Sequence, residues 1–271
     1  MKNSIFFFFF LILINITTFS SVATTSKGIK IIEVKGQYID LSILPYNGRN
    51  IVLNQLSDKK NPIIKTNITK NSLQYNLNND KKNSFFKTKV KFNLLIPQNT
   101  NFKYLIKTTN SSISVDGING KLSIDNSKGE VTIDKLIGDL DLLNSNKDIK
   151  LSNIVGDISV KSYFSQVTTK NTLGTLNIQT THKKIKIKNA ERIGNISTTN
   201  APILAEFKSI TPDAKIVTSN HNLTIKTPEN HNFNFSIFGD LIHIKNEFLQ
   251  LKIDNFLILG TSNGTIRIEK K

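Results

Sequence analysis

The sequence predicts an all-β protein, a single-domain β-solenoid with an 18-residue coil and two short strands in each coil. Three observations predict it. Aliphatic residues recur at a nine-residue step between positions 113 and 187, they come in pairs separated by one polar residue, and glycines recur at an 18-residue step. Alternation of apolar and polar residues is typical of a strand with one buried face. A unit this short cannot bury its apolar face alone, so neighbouring coils must stack.

Two aliphatic columns define the predicted strands. Each pair encloses a polar residue, such as Lys150 or Ser159, which we expect to point outward. Only Thr169 interrupts the second column. The first column reads Ile113, Leu122, Val131, Leu140, Ile149, Ile158, Val167, Leu176 and Ile185, and the second Val115, Ile124, Ile133, Leu142, Leu151, Val160, Thr169, Ile178 and Ile187.

Glycine and asparagine are predicted at the corners between strands. Glycine permits positive φ, and asparagine tolerates the left-handed region better than most residues. Each 18-residue repeat has two nine-residue halves, which we call half-units. One half-unit of each repeat has a glycine at its corner: Gly120, Gly138, Gly156 and Gly174. The other half-unit has Gly129, Lys147, Ser165 or Lys183 nine residues later. Five asparagines share one nine-residue column and are expected to stack as a corner ladder: Asn126, Asn144, Asn153, Asn171 and Asn189.

Alternating segments flank the repeats on both sides and are expected to cap their open strand edges. The predicted domain therefore covers residues 24–271, with an N-terminal β cap at 24–110, regular repeats at 111–190 and C-terminal β strands at 191–271. No linker is long enough to separate two domains.

The segment 1–23 has the pattern of a signal peptide. Lys2 precedes ten apolar residues at 5–14, and Ser21-Val22-Ala23 offers a cleavage site with small residues. Ten apolar residues are too few to span a bilayer. We therefore expect export to the periplasm, the outer surface or the medium, with no transmembrane span in the mature chain. An uncleaved membrane tether is the alternative.

Basic residues outnumber acidic ones, 36 to 20, for a net charge of +16. The position after the second aliphatic column changes from acid to base along the chain: Asp116, Asp125, Asp134, Leu143, Ser152, Lys161, Lys170, Gln179 and Lys188. One predicted face would gather a candidate anion-binding strip of Lys150, Lys170, Lys184, Lys186 and Lys188. An anionic glycan or a lipid head group on an envelope surface would suit it, whereas a solvated face of a lysine-rich chain is the plainer interpretation. Nucleic acid is not expected, since no aromatic residues interleave the lysines.

The sequence contains no recognisable catalytic or metal-binding motif. It has no cysteine, which excludes disulfides, thiol nucleophiles and Cys-type metal sites. Its histidines, His182, His221, His231 and His243, are isolated from one another, and no hydrolase or nucleotide-binding fingerprint occurs. We expect no cofactor and no catalysis. The alternative is an exported polysaccharide-active β-helix enzyme using two of Asp139, Asp141, Asp148 and Asp157, although Asp139 and Asp157 are expected to flank turns.

Several segments resemble a known family. They are Leu95-Ile96-Pro97, the stretches 106–115 and 117–120, the Gly-Asp-aliphatic repeats at 138–142 and 156–160, and the closing strand 261–268. Together they resemble a bacterial β-strand-repeat family of putative adhesins, akin to the head domain of auto-transporter adhesins, over roughly residues 29–269. The chain departs from that pattern where Lys147, Ser165 and Lys183 replace glycine. The resemblance implies a β-solenoid exported to the envelope, with no established catalytic residues. The expected function is that of a non-catalytic adhesin or scaffold whose partner is unknown.

Overall fold

The computed structural model describes residues 21–56, 62–79, 89–239, 241–246 and 255–271. These residues form β-strands and contain no helix. Of the predicted signal peptide, residues 1–20 lie outside the described residues, as does the side chain of His243. The strands are β1 Ser21–Thr25, β2 Ile31–Gln37, β3 Ile39–Tyr46, β4 Asn50–Gln55, β5 Pro62–Ile68, β6 Ser72–Asn79, β7 Val90–Pro97, β8 Lys103–Thr109, β9 Ser112–Asp116, β10 Leu122–Ser127, β11 Val131–Asp134, β12 Leu140–Ser145, β13 Ile149–Val155, β14 Ile158–Tyr163, β15 Val167–Gln179, β16 Ile185–Thr199, β17 Ile203–Ser219, β18 Leu223–Thr227, β19 Asn234–Phe238, β20 Leu241–Asn246, β21 Phe256–Thr261 and β22 Asn263–Lys270.

Central strands pair in parallel with the next strand but one, so they form two ladders. Ladder A contains β8, β10, β12 and β14, and its register joins Leu122 to Leu140 and Leu140 to Ile158. Ladder B contains β9, β11 and β13, and joins Val131 to Ile149. Both registers have the same offset of eighteen positions (140 − 122 and 149 − 131). The long strand β15 enters ladder B with its first half and ladder A with its second.

The core lies between the two ladders. All residues of both aliphatic columns are buried, with side chains no more than 3% exposed. The residues between them face outward: Lys150 is exposed and Ser159 half-buried. The predicted inward and outward faces of the repeat are therefore confirmed. Thr169 is also buried, and its hydroxyl has no hydrogen-bond partner among the described residues.

Both ladders extend beyond the central repeats. In ladder A, β2 pairs with β8, and β17 pairs with β21, which in turn pairs with β19. In ladder B, β3 pairs with β9, and β17 pairs with β18, then β22 and β20 follow. Between β16 and β17 the offset is eighteen positions at Ile185↔Ile203, seventeen at Ile193↔Ile210 and twenty at Ile196↔Ile216, so β17 carries extra residues between Ile210 and Lys215.

Antiparallel pairs occur near the N-terminus. Strand β5 pairs antiparallel with β6, and β4 lies antiparallel between β1 and β7. The predicted cleavage site after Ala23 falls inside β1, where Ala23 pairs with Val52. In the described part of the chain, no helix is long and apolar enough to cross a membrane.

The nine-residue asparagine column divides between two different corners. Asn153, Asn171 and Asn189 adopt the left-handed conformation, with φ of 53°, 54° and 55°, as predicted. Asn126 and Asn144 do stack, with Asn126 Nδ2 donating to Asn144 Oδ1 at 3.2 Å, but their predicted place at a corner is wrong, because both are buried strand residues at 1% exposure. The Asn126 Nδ2 donates to the carbonyl oxygen of Ser111 at 3.0 Å, so this amide is used inside the core. Each 18-residue coil has two different corners. Residues nine positions apart fall alternately near one corner and near the other, so they do not share one environment.

Candidate functional site

All five predicted lysines lie on the outward side of ladder B. Lys150 belongs to β13, Lys170 to β15, and Lys186 and Lys188 to β16, while Lys184 directly precedes β16. All five are exposed. Lys170 pairs in register with Lys188, whereas Thr168 separates Lys150 from Lys186.

Lys150 differs from the others because it is already paired. Its Nζ lies 2.6 Å from Glu130 Oε1. The hydrogen bond to this carboxylate raises the pKa of Lys150 above its ordinary value. The structure therefore separates Lys150 from the other four, and we call Lys170, Lys184, Lys186 and Lys188 the lysine cluster.

The lysine cluster concentrates uncompensated positive charge. No carboxylate of the described residues lies within 4.0 Å of any of its four Nζ atoms. Alternate residues of one strand lie roughly 7 Å apart and neighbouring strands about 4.8 Å apart, so four ammonium groups share a small area. Like charges at this spacing repel, and a bound anion would relieve the repulsion.

The acid-to-base series along the chain does not lie on one face. Successive members of the series are nine residues apart and lie on ladder B and ladder A in turn. Asp125, Leu143 and Lys161 are therefore on ladder A. Ladder B alone carries the ordered series Asp116, Asp134, Ser152, Lys170, Lys188. The series is therefore divided between the outward faces of the two ladders, whereas the five lysines predicted to share one face do lie on ladder B.

At the acidic end of that series, the two aspartates share one lysine as an ion-pair partner. Lys135 Nζ lies 3.2 Å from Asp116 Oδ1 and 3.4 Å from Asp134 Oδ2. The Ser152 hydroxyl donates to Asp134 Oδ1 at 2.7 Å, and this hydrogen bond is the main cause of the lowered pKa of Asp134. Ladder B thus has an acidic end, where one lysine pairs with two aspartates, and a basic end without counter-charges among the described residues.

The aspartates considered for catalysis make structural contacts. Asp139 Oδ1 accepts the backbone N–H of Asp157 at 3.2 Å, and Asp157 Oδ1 accepts that of Thr175 at 2.7 Å. Each carboxylate thereby stabilises the backbone at the corner eighteen residues later in the chain. Asp141 lies 3.5 Å from Lys121 Nζ, and Asp148 is exposed.

The histidines remain apart in the structure. His231 is buried against the rings of Phe233 and Phe235, with centroids at 4.5 and 5.3 Å, and burial lowers its pKa. His182 stacks on Phe164 at 5.4 Å. Within the described ranges, no three His, Asp or Glu side chains are grouped as a metal site.

A groove that the sequence analysis did not single out runs along one corner of the ladders. Its polar side is an amide ladder: Asn171 Nδ2 donates to Asn153 Oδ1 at 3.0 Å, and Asn189 Nδ2 donates to Asn171 Oδ1 at 2.9 Å. At the N-terminal end, Asn153 Nδ2 donates to Asp134 Oδ1 at 2.7 Å. We call the amide ladder of Asn153, Asn171 and Asn189, together with the neighbouring apolar row of Ile137, Val155 and Leu173, the asparagine edge.

The other side of the groove is an exposed apolar row. Ile137, Val155 and Leu173 pair in register and are 60%, 45% and 51% exposed. Val155 and Leu173 line the groove, and Ile137 continues the row beyond it. The groove has a volume of about 280 Å³, and Glu191 and Lys208, paired at 3.1 Å, close its C-terminal end. A signal was present in the sequence. The consecutive apolar residues Leu136-Ile137 and Ile154-Val155 precede corner glycines, and only the first of each pair can face inward in a strand-like backbone.

Comparison with known proteins found similar solved structures. A putative cell adhesion protein from Clostridium sporogenes is 9% identical, with a TM-score of 0.23, and the match covers 93% of this chain and 99% of the other. Putative adhesins from Bacteroides fragilis and Parabacteroides distasonis are each 12% identical, with TM-scores of 0.36 and 0.39, covering 93% of this chain and 97% of each of theirs. These structural neighbours are named as putative adhesins or adhesion proteins. The sequence resemblance described above names the same class of protein. No family model and no curated protein matches the chain.

Proposed function

We propose that residues 24–271 form one β-solenoid with an 18-residue coil, in which 24–110 and 191–271 cap the regular repeats of 111–190. The 18-residue offset that both ladders share from β8 to β14 supports this arrangement, as does the burial of both aliphatic columns between them. Stacked units of this kind form a rigid, elongated body whose outer faces carry evenly spaced side chains.

We propose that the protein is a non-catalytic adhesin or scaffold of the bacterial envelope. The observation that carries this proposal is the pair of continuous parallel ladders, which gives the chain long outward faces. The polar groups considered for catalysis support it further, because Asp139 and Asp157 hold backbone N–H groups of the next unit.

Export is the first part of the proposal to test. We expect cell fractionation to recover the protein outside the cytoplasm, and N-terminal sequencing of the mature chain to begin near Thr24. Bulk protein that retains Met1 and stays in the cytoplasm would contradict export. A chain that retains Met1 but is found in the membrane fraction would support the alternative of an uncleaved tether.

Adhesion is tested by deleting the gene and measuring attachment of the cells to a surface. We expect reduced attachment in the deletion strain and recovery with the wild-type chain. Two variants of β12 provide a matched pair, because Leu140 is buried and Leu143 is 43% exposed. The folded variant Leu143→Asp should restore attachment, and the core variant Leu140→Asp should not. Equal attachment in wild-type and deletion strains would overturn an adhesive role.

A second candidate function is binding of anionic glycans or lipids through the lysine cluster. Its four exposed ammonium groups have no carboxylate partner in the described part of the chain, and such a surface attracts polyanions. We expect wild-type protein to bind heparin, or vesicles containing phosphatidylglycerol, and to lose affinity as salt rises.

Charge-matched double variants test the candidate. Lys170→Ala with Lys188→Ala should weaken binding and reduce its salt dependence. Lys103→Ala with Lys161→Ala removes the same charge from exposed positions of ladder A and should bind nearly as wild type does. Equal losses in the two double variants would mean that net charge alone attracts the anion.

A further inference from the structure

We propose that the asparagine edge binds a neutral, linear β-linked glycan whose sugar rings lie one after another along the stacking direction. The proposal is independent of the lysine cluster. It rests on three properties of the edge: unused hydrogen-bonding capacity on one side, an exposed apolar row on the other, and more carboxylates than cations nearby.

The amide ladder leaves regular hydrogen-bonding groups open to a ligand. A side-chain amide offers two donor hydrogens and an oxygen with two acceptor sites. Asn153, Asn171 and Asn189 each use one hydrogen in the ladder, and the oxygens of Asn153 and Asn171 each accept one bond. No other side-chain partner of these amides occurs among the described residues. Each rung therefore presents at least one donor and one acceptor, repeated at the strand spacing of about 4.8 Å.

The apolar row supplies the second half of the recognition. Ile137 forms a parallel bridge with Val155, and Val155 pairs in parallel with Leu173, so their exposed surfaces repeat at the same spacing as the amides. Exposed apolar side chains grouped in this way are typical of binding surfaces. A pyranose ring is amphipathic, with C–H groups on its faces and hydroxyls around its rim. It can place a face on the aliphatic row while its hydroxyls reach the amides.

The spacing favours a glycan over an extended peptide. Peptide residues in a strand advance about 3.3 Å, with side chains on one face repeating at roughly 7 Å, and neither distance matches the rungs. A β-1,4-linked pyranose chain is an extended ribbon that advances by about one ring per residue, a length comparable to the strand separation. Two successive sugars can then meet equivalent groups, one on the rung of Asn153 and Val155 and the next on the rung of Asn171 and Leu173.

Charge favours a neutral ligand over an anionic one. The cations near the asparagine edge are already paired with carboxylates: Lys208 with Glu191, and Lys135 with both Asp116 and Asp134. The exposed carboxylates of Asp139 and Asp157 lie two residues beyond Ile137 and Val155 in sequence, and a polyanion would meet their repulsion. Polyanions are therefore directed to the lysine cluster, and the asparagine edge is left for uncharged sugars.

The test is titration calorimetry of the purified mature chain with cellohexaose and chitohexaose, which are neutral and β-1,4-linked, and with maltohexaose, whose α-linkage gives a curved chain. We expect a β-linked hexasaccharide to bind with an affinity that salt does not change, and maltohexaose to bind more weakly. Asn171→Asp removes the ladder donor but suits the left-handed backbone, and Leu173→Ser shortens the apolar row. Each change should weaken binding about tenfold.

Two control variants match these changes at other positions. Asn146→Asp alters an exposed asparagine of the same left-handed conformation, at φ 65°, outside the amide ladder, and Leu143→Ser alters an exposed leucine on the outer side of ladder A. Both should bind as wild type does, and circular dichroism should show that all four variants are folded. If Asn171→Asp does not fold, Leu173→Ser against Leu143→Ser decides. The proposal is overturned if neither β-linked hexasaccharide binds, if the edge variants bind like their controls, or if binding falls with salt.

Discussion

Gly138 shows how one residue type satisfies two requirements of the stack. Its φ is 144°, a conformation that residues with a Cβ rarely adopt, and an added Cβ would overlap the carbonyl oxygen of Gly120 in the preceding unit. Gly156 and Gly174 repeat both features. The glycine column is therefore needed for the backbone conformation and for the close approach of successive corners.

We predict that Gly138→Ala destabilises the fold by about 3 kcal/mol or more, because strain and overlap add. Gly28→Ala separates the two causes. Gly28 also has positive φ, at 82°, but the nearest heavy atom to an added Cβ is 3.9 Å away. That variant should lose only about 1 kcal/mol. Urea denaturation measures both, and equal losses would show that close approach contributes nothing.

His231 should make stability depend on pH. Burial lowers the pKa of His231 in the folded protein below its ordinary value of 6.5. The unfolded chain therefore binds this proton more readily, and the stability contributed by the neutral ring is lost as pH falls through 6.5. We predict a lower Tm at pH 5 than at pH 7.5, and a smaller difference in His231→Gln. An unchanged difference in the variant would assign the effect to other groups.

At the level of elements, the aliphatic columns were predictable and the corners were only partly so. The columns follow from period-two alternation, which any strand with one buried face must show, and all their members are buried. The asparagine column misled at Asn126 and Asn144 because its step alternates between two unlike corners. Nor could the sequence show that β15, β16 and β17 run through a corner without a break. There the register shifts instead, as between Thr172 and Thr175, and such irregularities depend on the neighbouring strands.

Strand β12 offers a direct test of which side chains form the core. Leu140→Asp places a carboxylate at a position with no exposure, where desolvation costs several kcal/mol. We predict that this variant does not fold. Leu143→Asp introduces the same charge three residues later at an exposed position and should change the free energy of unfolding by less than about 1 kcal/mol. A folded Leu140→Asp, as judged by circular dichroism and thermal melting, would contradict the inward orientation of the first column.

At the level of the whole molecule, the candidate sites depend on residues brought together by stacking. The sequence indicated five lysines, but it could not show that Glu130 compensates Lys150 while the other four lack such a partner within the described residues. That distinction depends on two side chains that are distant in sequence and meet only because their strands are neighbours. The asparagine edge was visible only as separate corner asparagines and apolar pairs. It becomes a groove because an 18-residue offset aligns one row beside the other.

The stack should also determine how stability is distributed along the chain. Each unit contacts mainly its two neighbours, so a central strand loses pairing on both sides when it opens, whereas an end strand loses one. Among the described strands, β5 pairs only with β6, while β12 lies between β10 and β14. We predict that amide hydrogens of β5 exchange faster than those of β10, β12 and β14. Hydrogen exchange measured by mass spectrometry tests this.

The Gly138→Ala variant extends the same experiment from the ends of the stack to its middle. Gly138 lies two residues before β12, so strain there should first loosen β10, β12 and β14. Exchange in these strands should rise, and the rise should diminish with each further strand, because destabilisation passes between nearest neighbours. Gly28→Ala should instead increase exchange mainly near β2, which begins three residues later. Uniform acceleration along the whole chain in both variants would mean that the stack opens as one cooperative unit.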